Sequence, residues 1–242
     1  MSAVIEYVRP ATVDEAIELL GRPGAVVLAG GTVVNSTPRP AAGLLVDLQA
    51  LGLDDVATEG HTIRLGAMCR LSTVAAHPTV PGWLGDIARA ELPSSLRTVA
   101  TIGGTAATAD WESTLVAALL AVDATVTLRR SAGTETLPLS SLVADRTVLR
   151  GAIIIEVSVD ARWNGIVHRT ARTTADRPIV ACVAATHPDH GTRTALTGVA
   201  NTPVLVAEVD ALEPPGDFRG SPSYRLHLAR VLRDRALAEL GA

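Results

Sequence analysis

Ala29-Gly30-Gly31-Thr32 and, further along the chain, Thr101-Ile102-Gly103-Gly104-Thr105 are the two stretches from which the fold can be read. The first closes a short strand. Ala25 to Leu28 is a continuous apolar run, and the glycine pair ends it with backbone freedom that other residues lack. Before that run, Thr12 to Leu20 reads as a helix. Thr12 with Glu15 forms a capping box, and Val13, Ala16, Ile17 and Leu20 recur at helical spacing. Gly-Gly after a strand is commonly a tight turn. It is also a place where several backbone N–H groups converge on one point, as an anionic phosphate requires. A second glycine pair arriving from elsewhere would suit a ligand with two adjacent phosphates. Neither pair has the Gly-x-Gly-x-x-Gly dinucleotide pattern.

Working outward, Gly43 to Leu48 is apolar enough to pair beside the first strand, and the stretch to Gly60 reads as a turn-rich exit from a small subdomain. From His61 a second unit begins. Thr62-Ile63-Arg64-Leu65 alternates like a half-buried strand, Leu71 to Ala76 and Ile87 to Leu92 suggest short helices, and the second glycine pair follows. Leu115, Ala118, Leu119 and Val122 share one helical face; Thr125 to Leu128 and Ile153 to Val159 read as strands. After a boundary near Ala161 to Asn164, Ile179 to Ala185 and Ala195 to Val199 are strand-like. Tyr224 to Leu240 is a long amphipathic helix with Leu228, Val231, Leu232 and Ala236 on its apolar side. Alternating helices and strands make the class α/β or α+β.

The 242 residues are 48% hydrophobic, enough for one large domain or two modest ones. Net charge is -4, and all 21 basic residues are Arg, with no basic patch, so nucleic acid and anionic membrane are poor partners. Runs such as Leu115 to Val122 fall far short of the roughly 20 residues that span a bilayer. Met1 to Pro10 lacks the basic start and apolar core of a signal peptide, so a cytoplasmic protein is expected. Cys69 and Cys182 are too far apart and too few to hold an iron-sulfur cluster, and each reads as a buried thiol. His187-Pro188-Asp189-His190 reads as a polar hairpin turn rather than a metal site, and Asp54-Asp55 as a turn or solvated face. Ser94-Ser95 has no recognisable base partner.

Seven segments, in the order "VVLAGGT", "IRLGAM", "LRTVATIGGTAATAD", "LLAVDATVTLRR", "IIIEVSV", "LTGVANTPV" and "SPSYRLHLARVLRDRAL", make the chain similar to the FAD-binding medium subunits of the molybdenum hydroxylases, of carbon monoxide dehydrogenase and xanthine dehydrogenase type. The resemblance implies an α+β fold. Two α/β subdomains, about 1–58 and 59–162, would form a PCMH-type FAD-binding domain over 1–162, and 163–242 would be a small C-terminal domain of a three-stranded sheet and helices. It implies FAD in this chain, contacted by Leu28, Ala29, Gly30, Gly31, Thr32, Val33, Thr101, Ile102, Gly103, Gly104, Thr105, Thr114, Ile153 and His168. Both glycine segments would hold the pyrophosphate. It further implies a large partner subunit carrying a molybdenum cofactor and a small one carrying [2Fe-2S] clusters, with this chain passing their electrons to an external acceptor.

The chain departs from the family pattern at several points. Val33 replaces a Ser or Asp, Thr105 replaces Asn, and Thr114 replaces an Asp that receives a hydrogen bond from the cofactor, so weaker FAD binding is expected. His168, four residues before Arg172, stands where the family often has Lys near the flavin, and would make the flavin potential depend on pH. Trp111 is the ring nearest the second glycine segment in a chain with only 2% aromatics. Glu213-Pro214-Pro215-Gly216 bridges what is normally an extra polar helix, which trims the C-terminal domain. These changes motivate the alternative expectation of a flavin-free homologue acting as a structural subunit or binding another small ligand.

Overall fold

Helix α1 (Val13–Leu20) begins where the capping box places it: Thr12 Oγ1 accepts from the Glu15 N–H at 3.2 Å, and the Glu15 carboxylate accepts from the Ala11 N–H at 2.8 Å. The computed structural model describes residues 6–34, 43–173 and 176–241; Met1–Ile5, part of the stretch inspected for a leader, lie outside them. Ala16 and Ile17 of α1 pack on a parallel sheet of β1 (Glu6–Val8), β2 (Ala25–Leu28) and β3 (Leu44–Asp47), in the order β1-β3-β2. The 43–48 run does pair beside the first strand, and it is the central strand of three. Its last residue, Asp47, is buried and answered by Tyr7 Oη, Arg9 and the Gln49 N–H.

A second sheet is antiparallel throughout. It comprises β4 (Val56–Glu59), β5 (Thr62–Gly66), β6 (Thr125–Arg130), β7 (Gly133–Pro138) and β8 (Ile153–Asp160), in the order β4-β5-β8-β6-β7. The β5 alternation is real: Ile63 and Leu65 are buried while Thr62 and Arg64 are exposed. The turn-rich reading of the stretch to Gly60 missed β4. Val56–Glu59 is mostly exposed, so it carries little apolar signal, and pairing with β5 is what makes it a strand. Five helices and part of the core lie between β5 and β6: α2 (Leu71–Val74), α3 (Gly82–Glu91), α4 (Ser94–Arg97), α5 (Ile102–Thr108) and α6 (Thr114–Ala121). A sixth, α7 (Leu139–Ala144), follows β7. An isolated eight-residue helix does not hold in water. All eight residues of α6 are buried, on every side rather than on the one face read from the sequence, and each enclosed Leu contributes about 2 kcal/mol.

What surrounds α6 explains this. A third sheet, β9 (Asn164–Thr170), β10 (Val180–His187), β11 (Gly191–Thr197) and the two-residue β12 (Val204–Leu205), adds a short edge strand to the three expected and lies between α6 and the long helix α8 (Pro222–Leu240). Strand β10 has two apolar faces. Val183 and Ala185 join the core around α6, and Cys182 and Ala184 join the core under α8, so the unbroken run from Ile179 is the signature of a doubly covered strand. Burial pushes the Cys69 thiol up to about 11 and the Cys182 thiol to about 12, as inert core cysteines. His187-Pro188-Asp189-His190 is the β10–β11 hairpin turn, with the His187 ring closed over by Trp163.

On α8, Leu228, Leu232 and Ala236 face the core as read; Ala229 and Arg225 join them, and Val231 is only partly covered. Arg225 is completely buried. Its Nη1 donates to Ile179 O at 2.5 Å and Gly198 O at 3.0 Å, its guanidinium lies 4.9 Å from the Trp111 ring, and Asp217 Oδ1 is 2.7 Å from Nη2. Among the described residues, Nε and Nη2 have no aligned hydrogen-bond acceptor, which makes Asp217 the charge partner this cation depends on. At Asp217, burial raises the carboxyl's pKa but is outweighed by Arg225 and by the Arg219 and Gly220 N–H groups, which bring it down to about 2. A depressed carboxyl stabilises the fold above its ordinary pKa, and the contribution is lost as pH falls toward 2. Asp217→Asn should therefore lower stability to urea by about 3 kcal/mol at neutral pH, since it strands a buried charge. The gap from the wild type should close as pH drops from 4 toward 2.

Candidate functional site

The two glycine segments meet. A Cβ built on Gly30 would lie 1.9 Å from the Val99 carbonyl oxygen, so the first segment runs backbone against backbone along the approach to the second. Gly31 has φ +71°, the left-handed conformation that favours glycine. Gly103 is needed for a different reason: its Cβ would stand 2.6 Å from that of Ala67. A Cβ on Gly104 would lie 3.9 Å from the Ala29 Cβ, between the segments. A cleft of about 410 Å³ opens where they meet, within the range of small-molecule and cofactor sites. A smaller chamber of about 160 Å³ shares Val27, Ala29, Gly104 and Ala107 with it.

The second segment is not the turn expected. Thr101 caps α5, its Oγ1 accepting from the Gly104 N–H at 3.1 Å, and Gly103-Gly104 form the helix's first turn. Its donors are already committed. Ile102 N–H goes to Cys69 O, Gly103 N–H to Ala67 O and Thr105 N–H to Thr101 O, each at 2.9 Å. In the first segment, by contrast, the N–H groups of Gly30, Gly31 and Thr32 have no acceptor among the described residues. The N–H donors without acceptors among the described residues therefore lie in the first segment, and the second supplies a bare glycine surface and two hydroxyls.

Of the residues expected at the site, Ala29, Gly30, Gly31, Thr32, Val33, Thr101, Gly104 and Thr105 line the cleft, and Gly103 and Ile153 line the chamber. Four line neither. Leu28 pairs with Asp47 inside the first sheet, Ile102 is wholly buried in the main core, and Thr114 is enclosed at the start of α6. His168 Nε2 lies 2.9 Å from Glu239 Oε2, a partner on α8 that draws it to the C-terminal helix. Trp111 does not line the cleft either, since its ring is taken by Arg225.

Six further polar residues complete the wall: Glu91, Thr108, Asp110, Ser113, Arg146 and Arg177. Arg146 donates to the carbonyls of Ala107 and Thr108, where α5 ends on Ala109 with φ 43°, so its positive charge rests at a helix C-terminus and beside the cleft. Arg177 is held by Asp110 at 3.0 Å, with Glu112 at 3.7 Å. Ser113 could have been found from sequence, as the cap before an apolar helical run; it accepts from the Val116 N–H at 3.1 Å. Glu91, Arg146 and Arg177 carry no local signal, because each arrives from a distant element. Three N–H donors without acceptors among the described residues, and the two lining arginines Arg146 and Arg177, fit a dianionic pyrophosphate.

Residues 3–160 match the family model described as the FAD binding domain in molybdopterin dehydrogenase. The chain is 30% identical over 248 residues to "Uncharacterized protein YgfM" of Escherichia coli (strain K12), covering 94% of this chain and 93% of that one. It is 32% identical over 168 residues to the 6-hydroxypseudooxynicotine dehydrogenase complex subunit alpha of Paenarthrobacter nicotinovorans, covering 64% of this chain and 56% of that one. Its fold superimposes on a chain of carbon monoxide dehydrogenase from Hydrogenophaga pseudoflava with a TM-score of 0.88 at 24% identity, over 98% of this chain and 97% of that one. The chain belongs to the FAD-binding family of the molybdopterin dehydrogenases and is an oxidoreductase subunit.

Proposed function

We propose that this chain is an electron-transfer subunit whose FAD receives electrons from [2Fe-2S] clusters of a small partner, reduced in turn by a large partner carrying a molybdenum cofactor, and delivers them to an external acceptor. The observation that carries the reading is the cleft between the two glycine segments, with three N–H groups on one wall that have no acceptor among the described residues. That a relative is named as one subunit of a dehydrogenase complex supports the assembly. On this reading residues 1–162 hold the cofactor, as subdomains of about 1–58 and 59–162, residues 163–242 are a trimmed C-terminal domain, and the protein works in the cytoplasm.

Bound FAD supplies the redox chemistry, taking and releasing electrons one or two at a time, which no side chain here does. The residues hold and place it. Gly30, Gly31 and Thr32 would donate to the pyrophosphate, with Gly30 seated against the Val99 carbonyl because it has no side chain. Arg146 adds a positive charge that α5 fixes in position. No helix among the described residues is long and apolar enough to cross a membrane.

Purified protein should be yellow, or become so after incubation with FAD and desalting, with an absorbance band that dithionite bleaches; a colourless product would contradict the reading. Arg146→Gln keeps a donor for the end of α5 but removes the charge. It should weaken FAD binding about tenfold in a fluorescence titration and reduce the dependence of affinity on salt. Co-purification with an iron-sulfur or molybdenum-cofactor subunit tests the assembly, and a protein that stays alone would contradict that part.

A further inference from the structure

Glu91, the last residue of α3, is a cleft-lining carboxylate with no ion-pair partner within 4 Å among the described residues. One of its oxygens, Oε2, accepts from the Leu115 N–H at 2.9 Å. Because α6 is buried along its whole length, the free N–H groups of its first turn are shut off from bulk water. Ser113 answers the one at Val116 and Glu91 the one at Leu115. An ionised carboxylate has about four acceptor sites, so the one contact to Leu115 leaves acceptor capacity at a residue that borders the cleft.

We propose that Glu91 binds the cofactor directly, its carboxylate accepting a hydrogen bond from a hydroxyl or ring N–H of FAD in the cleft while it holds the first turn of α6. The inference rests on the flavin reading above and names a contact that reading does not contain. The groups facing Glu91 set how the contact responds to pH. Burial, the largest influence, pushes its carboxyl up; Ser113, the Leu115 N–H and the charge of Arg177 pull it back; Asp110 pushes it up further. Arg97 of α4 grips the Arg89 and Leu92 carbonyls that flank this residue. An acceptor must be ionised to take FAD's hydrogen bond at full strength. Affinity therefore falls as pH drops through the raised pKa of Glu91 and is level above it.

The test is an FAD fluorescence titration across pH on the full chain and on Glu91→Gln, with thermal melting of both without FAD. Gln keeps the shape and an acceptor for Leu115. E91Q should bind about tenfold more weakly at neutral pH and show no acid-side decline, with ligand-free melting little changed. Equal affinity and an equal pH profile in the two proteins would overturn the proposal, even if E91Q melted lower, and would leave Glu91 as a cap of α6 alone. Wild-type protein that binds no FAD at any pH would overturn the parent reading and this one with it. Should E91Q not fold, calorimetry of wild-type protein in two buffers of different ionisation enthalpy decides. Net proton release on FAD binding at acid pH supports the contact, and none overturns it.

Discussion

The contact on which the site depends is between two pieces of backbone. Residues 29–31 lie so close to the Val99 carbonyl that no side chain fits at Gly30, and this approach brings a loop of the parallel sheet to the start of α5 in the antiparallel one. The strand β2 ends, Gly31 turns through a left-handed conformation, and the N–H groups of 30–32 are left without acceptors among the described residues. The cleft is a consequence of how two sheets meet.

The rest of the molecule holds that meeting in place. The loop from Asp110 to Ser113 forms part of the cleft wall, and the C-terminal region grips it at four points. Arg177 pairs with Asp110, Arg219 with Glu112, Gly198 donates to Trp111 O, and Arg225 covers the Trp111 ring. Arg225 is thereby the residue through which the long helix α8, the third sheet and the cleft wall are joined. The pairs of this junction lie beyond the Glu213–Gly216 link, where Asp217 holds both Arg219 and Arg225.

Local chemistry made much of the fold legible. The capping box at Thr12, the alternation at Ile63 and Leu65 and the doubly apolar run of β10 each depend on residues close in sequence, and each is found as read. Where the determinant is distant, the reading fell short. β4 is a strand because β5 pairs with it, and α6 is buried all round because α3 and the third sheet enclose it. At the site, the two glycine segments meet at a cleft, the second as the start of a helix rather than as a turn. Gly103-Gly104 is expected from sequence as a second glycine turn like the first; Thr101 instead caps a helix there, and Gly103 packs closely on Ala67. Glu91, Arg146 and Arg177 reach the cleft from three separate elements, and His168 is drawn from it by Glu239. No spacing rule in one sequence encodes such convergence.

The division of labour between the glycine segments is the central claim, and amide hydrogen exchange with and without FAD tests it most directly. Gly30, Gly31 and Thr32 should exchange freely in the ligand-free protein and become protected when FAD binds, while Ile102 to Thr105, already hydrogen-bonded, should be protected in both states. Protection that appears only at Ile102 to Thr105, with residues 30–32 unchanged, would contradict the account.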